Sequence, residues 1–252
     1  SGNKKLGDKW EAKAGLRLEN TETKGYSSDL NETDKSHYTK LFPTLYILYK
    51  PKEKQSISFS YGKRINRPNY RVLNPFVRYI NPYTTSQGNP YLQPYYTDNY
   101  ELTYNYKDNW LSTLYYSNSK NIYEQVNYIS NDNINSATKY ENFYNQFSIG
   151  ITESYTLHPI KNWESNLTAN VYYKKIESSL PQTLASFSGW SAFFETDNNY
   201  FLNKNKTILL SIDYWIQFPE YDAIYKTNAI SVLDIGMRAF KKKKKLSLSL
   251  YF

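Results

Sequence analysis

The chain has no cysteine and only two histidines among its 252 residues. Disulfides, thiol nucleophiles and thiolate metal sites are therefore excluded, and most histidine chemistry goes with them. His37 lies in a polar stretch read as a loop and His158 precedes Pro159 in a turn. Neither has a second His or a Cys at ligand spacing, so no transition metal and no cofactor is expected. Long apolar runs are missing as well. Stretches such as Leu45 to Tyr49 fall far short of the roughly 18 residues that a membrane helix needs. There is no phosphate-binding loop, dinucleotide fingerprint or Gly-x-Ser-x-Gly elbow. Because no nucleophile and base can be assembled, an enzyme is not expected.

Aromatic residues, by contrast, are abundant: 28 Tyr, 12 Phe and 5 Trp, in a chain whose mean hydropathy is −0.74. The formal charge is +8. Much of it sits in the clusters Lys50 to Lys54 and Lys241 to Lys245, which read as solvated turns, the second of them at the level of lipid headgroups. Nucleic-acid binding is not expected. Asn131-Asp132-Asn133 offers oxygen donors but lacks the spacing and the Glu of a calcium loop, and it reads as a plain external loop. No signal peptide is visible. Ser1-Gly2-Asn3 reads as a cut end or tag remnant, and the chain as a piece of a longer precursor.

The pattern between these features has a period of two. Trp10, Ala12, Ala14, Leu16 and Leu18 alternate with Glu11, Lys13, Gly15, Arg17 and Glu19. Ile57, Phe59, Tyr61 and Ile65 do the same against Ser56, Ser58, Ser60, Gly62 and Arg64, and Tyr100, Leu102, Tyr104 and Tyr106 against Glu101, Thr103 and Asn105. Similar stretches begin at Trp163, Ile208 and Leu246, with less regular ones near 41–49, 111–126, 144–157, 190–202 and 229–240. Sustained alternation means strands, about eleven of them. Tight turns at 50–55, 107–109, 158–162, 203–206 and 241–245 take turns with longer connections, the longest from Arg67 to Asn99. Short turns at one rim and long loops at the other, around strands of about ten residues, describe an antiparallel transmembrane β-barrel. Trp10, Trp110 and Trp163 open strands on the turn side, while Trp190 and Trp215 lie near loop-side ends, as interfacial aromatics would. An odd count whose last strand would finish outside at Phe252 implies a partial barrel.

The ordered set Phe42-Pro43-Thr44, Arg67-Pro68-Asn69-Tyr70, Leu73-Asn74-Pro75-Phe76, Gln87-Gly88-Asn89-Pro90-Tyr91-Leu92-Gln93-Pro94 and Asn99-Tyr100-Glu101-Leu102 resembles the barrel of TonB-dependent outer-membrane receptors. It is most similar to the branch of Bacteroidetes-type bacteria. The resemblance covers roughly residues 41–106. It implies a barrel of about 22 strands, a plug domain elsewhere in the same precursor, a bacterial outer-membrane location, and nutrient uptake energised through the TonB complex. A surface lipoprotein is a further implied partner. This chain itself contains no plug and no TonB-contacting segment.

The prolines of the 67–94 segment preclude a continuous ladder, so it forms a rigid excursion at the external mouth. Arg64, Arg67, Tyr70, Arg71, Asn74, Arg78, Tyr79 and Tyr83 are the ligand-binding candidates there, reaching a solute or the plug. The plainer reading is that Arg and Tyr tie the loop to neighbouring strands and to itself. Two other functions stay open: a non-transporting barrel that scaffolds a surface complex, and a soluble secreted β-rich binding module whose apolar faces pack against each other. Tyr- and Asn-rich loops suit too many solutes to choose one.

Overall fold

The structure, a computed structural model, describes residues 2–27, 32–130, 134–181, 183, 186–222, 225–241 and 246–251. Among them no helix is long and apolar enough to cross a membrane. The chain is a meander of antiparallel strands: β1 (Gly2–Leu6), β2 (Trp10–Ser27), β3 (Glu32–Lys52) and β4 (Gln55–Asn66). A one-turn helix, α1 (Tyr70–Leu73), and a small hairpin, β5 (Arg78–Asn81) and β6 (Thr84–Gln87), interrupt it. It resumes with β7 (Tyr95–Tyr106), β8 (Trp110–Ile129), β9 (Ser136–Ile160), β10 (Trp163–Ser178), β11 (Ser186–Phe201) and β12 (Ile208–Gln217). After a hairpin of β13 (Glu220–Tyr221) and β14 (Lys226–Thr227), β15 (Ile230–Lys241) and β16 (Leu246–Tyr251) close the described chain. Strands adjacent in the meander are adjacent in a single 14-stranded sheet.

All eleven expected strands are present, and β1 adds one where the sequence read as a tag remnant. The Gly7 turn, at φ 74°, folds it back so that Leu6 pairs with Trp10. Much of the long connections at 20–40 and 127–140 is strand rather than loop. The β2–β3 ladder continues from Asn20↔Thr39 to Ser27↔Glu32, and the β8–β9 ladder runs to Ile129↔Ser136. Polar residues beyond a membrane still make ladder hydrogen bonds, and alternation alone does not mark where lipid ends. His37 accordingly stands on β3, and His158 on β9 at 3.4 Å from Glu164, both exposed. Asn131, Asp132 and Asn133, Lys242 to Lys245, Ser1 and Phe252 lie outside the described residues.

Register turns the alternation into two surfaces. One row runs Ala12, Ile47, Phe59, Leu102, Leu114, Ile151, Val171, Ala192 across eight neighbouring strands. The row beside it, on the opposite face, runs Lys13, Tyr46, Ser60, Glu101, Tyr115, Gly150, Tyr172, Ser191. Among the described residues no second layer covers the apolar face, where Leu16 and Leu18 are 67% and 64% exposed. A soluble sandwich would bury that face; a sheet bathed in lipid leaves it open.

Two aromatic bands border the apolar face. On the turn side Trp10 stacks on Tyr49 with centroids 4.3 Å apart, and Trp110 meets Tyr104 edge-on. On the loop side a chain of ring contacts passes through Tyr61, Tyr100, Tyr116, Phe147, Tyr173 and Trp190. Along β10 the bands sit at Trp163 and Tyr173; ten residues at about 3.4 Å each, tilted by about 40°, span roughly 25 Å of hydrocarbon. Trp215 departs from the expected role: it shares the polar face with Asp213 and packs against Phe193. The compact apolar cluster lies beyond the loop-side band. Ile122, Val126, Phe143, Tyr144 and the fully buried Ile176 form it, joined by Tyr95, Tyr128, Leu180 and Phe187.

Candidate functional site

The segment 67–94 is a strap along the loop-side rim, fixed at both ends. At its start Arg67 forms an ion pair with Glu19 and donates from Nε to the Tyr38 hydroxyl at 2.9 Å, while the Tyr123 hydroxyl donates to its carbonyl at 3.1 Å. Arg17 approaches the same Glu19 at 3.0 Å and lies over the ring of the buried Phe42. At the other end β6 pairs in parallel with β9, Thr84 to Gln87 against Ser136 to Lys139. The strap thus joins the β2–β3 hairpin to β9, over the rims of β4, β7 and β8.

Its asparagines close its turns. The Asn69 side chain caps α1 by accepting from the Val72 amide at 3.2 Å, Asn74 accepts from Phe76, and Asn89 accepts from Tyr91. Such local bonds are why Asn occurs in turns. The two arms are then clasped backbone to backbone: Gly88 N–H donates to Asn74 O at 3.0 Å and Asn89 N–H to Val72 O at 2.7 Å. Asn89 Nδ2 reaches Tyr140 O, and Asn142 exchanges two bonds with the Gln93 backbone. Val72 and Leu92 are buried.

The eight candidate residues divide between these tasks. Arg67 and Asn74 hold the strap together. Arg64, Tyr70, Arg71, Arg78, Tyr79 and Tyr83 are exposed, Tyr70 at 78% and Tyr79 at 75%. Arg64 stands at the end of β4, Tyr70 and Arg71 on α1, and the other three on the β5–β6 hairpin. All but Arg64 lie on the strap, and the six exposed side chains do not converge on one enclosed pocket.

Two features escaped the sequence. The connection from β12 to β15 folds against β10 and β11: Glu220 accepts from the Tyr172 hydroxyl at 2.7 Å and from Lys174 at 2.9 Å, and Tyr221 stacks on Phe187. Burial opposes the charge on Glu220, but those two donors outweigh it and hold the carboxyl below its usual range. Burial and a bond to Glu141 push Tyr128, at the tip of β8, up to about 12. The second feature is an acidic row. Asp197 pairs with Asp213 and Asp213 with Asp234, side by side on the polar face of β11, β12 and β15. Among the described residues no group of three or more such side chains converges to hold a metal ion.

Comparison with known proteins follows the same lines. A model of the outer membrane protein beta-barrel family matches residues 1–252. No curated protein sequence matches the chain. Among solved structures, the copper transporter OprC superposes with a TM-score of 0.68 at 14% identity, over 97% of this chain and 39% of its own. The Pseudomonas aeruginosa ferric enterobactin receptor PfeA, solved in complex with enterobactin, gives 0.61 at 15% identity, over 98% and 38%. The siderophore receptor PirA of the same organism gives 0.61 at 13%, over 99% and 45%. At such identities the likeness establishes the fold, and the chain spans under half the length of each.

Proposed function

Because the chain belongs to the outer membrane protein beta-barrel family and its apolar band places it in the bacterial outer membrane, we propose that it is part of the wall of a TonB-dependent receptor that imports a nutrient solute. On this reading residues 1–252 are one partial barrel domain. The remaining strands and the plug come from the parent protein, which engages the TonB complex and, in the bacteroidete-like branch that the strap motifs resemble, a surface lipoprotein. The observation that carries the reading is the strap. A rigid aromatic and cationic segment, clamped across the rim above a polar inner wall, is what a solute meets first. Arg64, Tyr70, Arg71, Arg78, Tyr79 and Tyr83 face solvent there and would contact the solute or the plug. Arg67 and Asn74 keep the strap in place. The solved relatives are receptors and a transporter, so binding and passage rather than chemical conversion are the tasks that fit.

The test is uptake by the full-length parent in its own host. Growth on a limiting nutrient, and accumulation of labelled nutrient, should require the receptor and should collapse when TonB is depleted. Uptake that persists undiminished without TonB would leave a passive barrel in its place.

A further inference from the structure

The strap carries an unfilled sheet edge. β5 pairs with β6 on one side and with no strand on the other among the described residues. All four of its residues are exposed, Ile80 at 56%. An open edge presents a row of backbone donors and acceptors, and an extended chain can add to it as a further strand. Within lipid such an edge would cost several kcal/mol per unpaired group, but β5 lies beyond the loop-side aromatic band, where water reaches it.

Charge indicates what would add there. Between Glu53 and Asp98 the sequence contains no acidic residue, yet Lys54, Lys63, Arg64, Arg67, Arg71 and Arg78 fall in that interval. Asp98 pairs with Lys63, and Glu19 with Arg67. Arg64, Arg71 and Arg78 take part in no ion pair among the described residues. Glu141, close in sequence to the β9 residues that dock β6, is engaged by the Tyr128 hydroxyl. The edge therefore carries an unpaired cation of its own, Arg78, beside the exposed rings of Tyr79 and Tyr83.

We infer that the free edge of β5 receives an extended, acidic peptide by strand addition, with Arg78 meeting its carboxylates and Tyr79 packing on its side chains. This rests on the proposal that the mouth admits a solute, and it names the class of that solute. A compact ligand would use the rings and the charges but not the backbone edge.

The experiment is peptide binding to the full-length parent in detergent micelles, followed by fluorescence polarisation. The probes are a labelled peptide alternating Glu and Val, its Lys-for-Glu counterpart, and two versions of the Glu peptide N-methylated on alternate backbone amides in the two possible registers. The Glu peptide should bind about tenfold or more tighter than the Lys peptide, equivalent to about 1.4 kcal/mol. One N-methylated register should lose binding, since its donors face the edge. Arg78→Glu should erase the charge preference. Equal affinity for both charges, full binding by both N-methylated probes, or no peptide binding at all overturns the inference, and these three readings need no variant. TonB-dependent uptake without peptide binding defeats only the peptide. Peptide binding without energised uptake defeats only the transporter.

Discussion

The amide of Gly88 donates to the carbonyl of Asn74 at 3.0 Å, and a Cβ on Gly88 would stand 2.3 Å from that same oxygen. The clasp that closes the strap is thus possible only where one arm has no side chain. Gly150 does similar work in β9, leaving room for the Tyr115 ring to cross toward Asn170.

Gly88→Ala should open the clasp while leaving the barrel wall intact. Overpacking against backbone that cannot retreat costs about 1–3 kcal/mol, here concentrated in the strap. Hydrogen exchange at Asn74, Phe76, Asn89 and Tyr91 should quicken, whereas the heat-dependent shift in gel mobility expected of a closed barrel should be the same in the full-length variant as in the unmodified protein. Unchanged exchange in the variant would show that the two arms are not held together this way.

The assignment of faces predicts opposite fates for neighbouring residues. Leu102 and Leu114 pair across β7 and β8 on the apolar face; Thr103 and Thr113 pair on the polar face, with hydroxyls 3.1 Å apart. Leu102→Arg should destabilise the barrel by about 2–4 kcal/mol near the bilayer midplane, read as a lower urea midpoint for loss of the heat-modifiable form. Thr103→Arg should move that midpoint little. Reversed sensitivities would mean that lipid and lumen have been exchanged.

Much of this was legible because period two survives wherever one face meets lipid, as from Trp10 to Leu18. It lapses beyond that zone, so Asn20 to Ser27 and Asn127 to Ile129 read as loops although they are strand. Gly2 to Leu6 is too short and too polar to show its pairing. Trp215 stood at the right depth for an interfacial ring, but the alternation of Ile212, Tyr214 and Ile216 already put it on the other face. The strap motifs announced turns correctly, while the partners of Arg67, Glu19 and Tyr38, are distant in sequence and appear only once the hairpin is folded. Asp197, Asp213 and Asp234 lie on three separate strands, and register alone brings them into one row.

Glu220 makes the β12–β15 connection sensitive to acid. Its folded carboxyl is held below the ordinary value, so the stabilisation is complete above the usual carboxylate range and is lost as pH falls through the lowered folded value. Hydrogen exchange at Phe218 and Tyr221 should accelerate as pH drops below about 4, the ordinary carboxylate range, after correction for the intrinsic rate. Glu220→Gln should show the faster exchange already at neutral pH and no further acid step. An acid step that persists in the variant would assign it to another group.

The acidic row makes the most exacting prediction, because it runs against the usual effect of a substitution. Like charges directly opposite on a sheet are destabilising, by amounts of about 0.2–1 kcal/mol per pair. Asp213 stands between two of them. On the inner face a row of like charges repels anions and concentrates cations. Asp213→Asn keeps the shape and removes the middle charge. Its urea midpoint should therefore rise at low ionic strength, and the gain should shrink as salt screens the row. A variant that is instead less stable at low salt would mean that the three carboxylates are already neutralised by a bound cation or by a basic group of the parent protein, and titration with divalent cations would then separate those two sources.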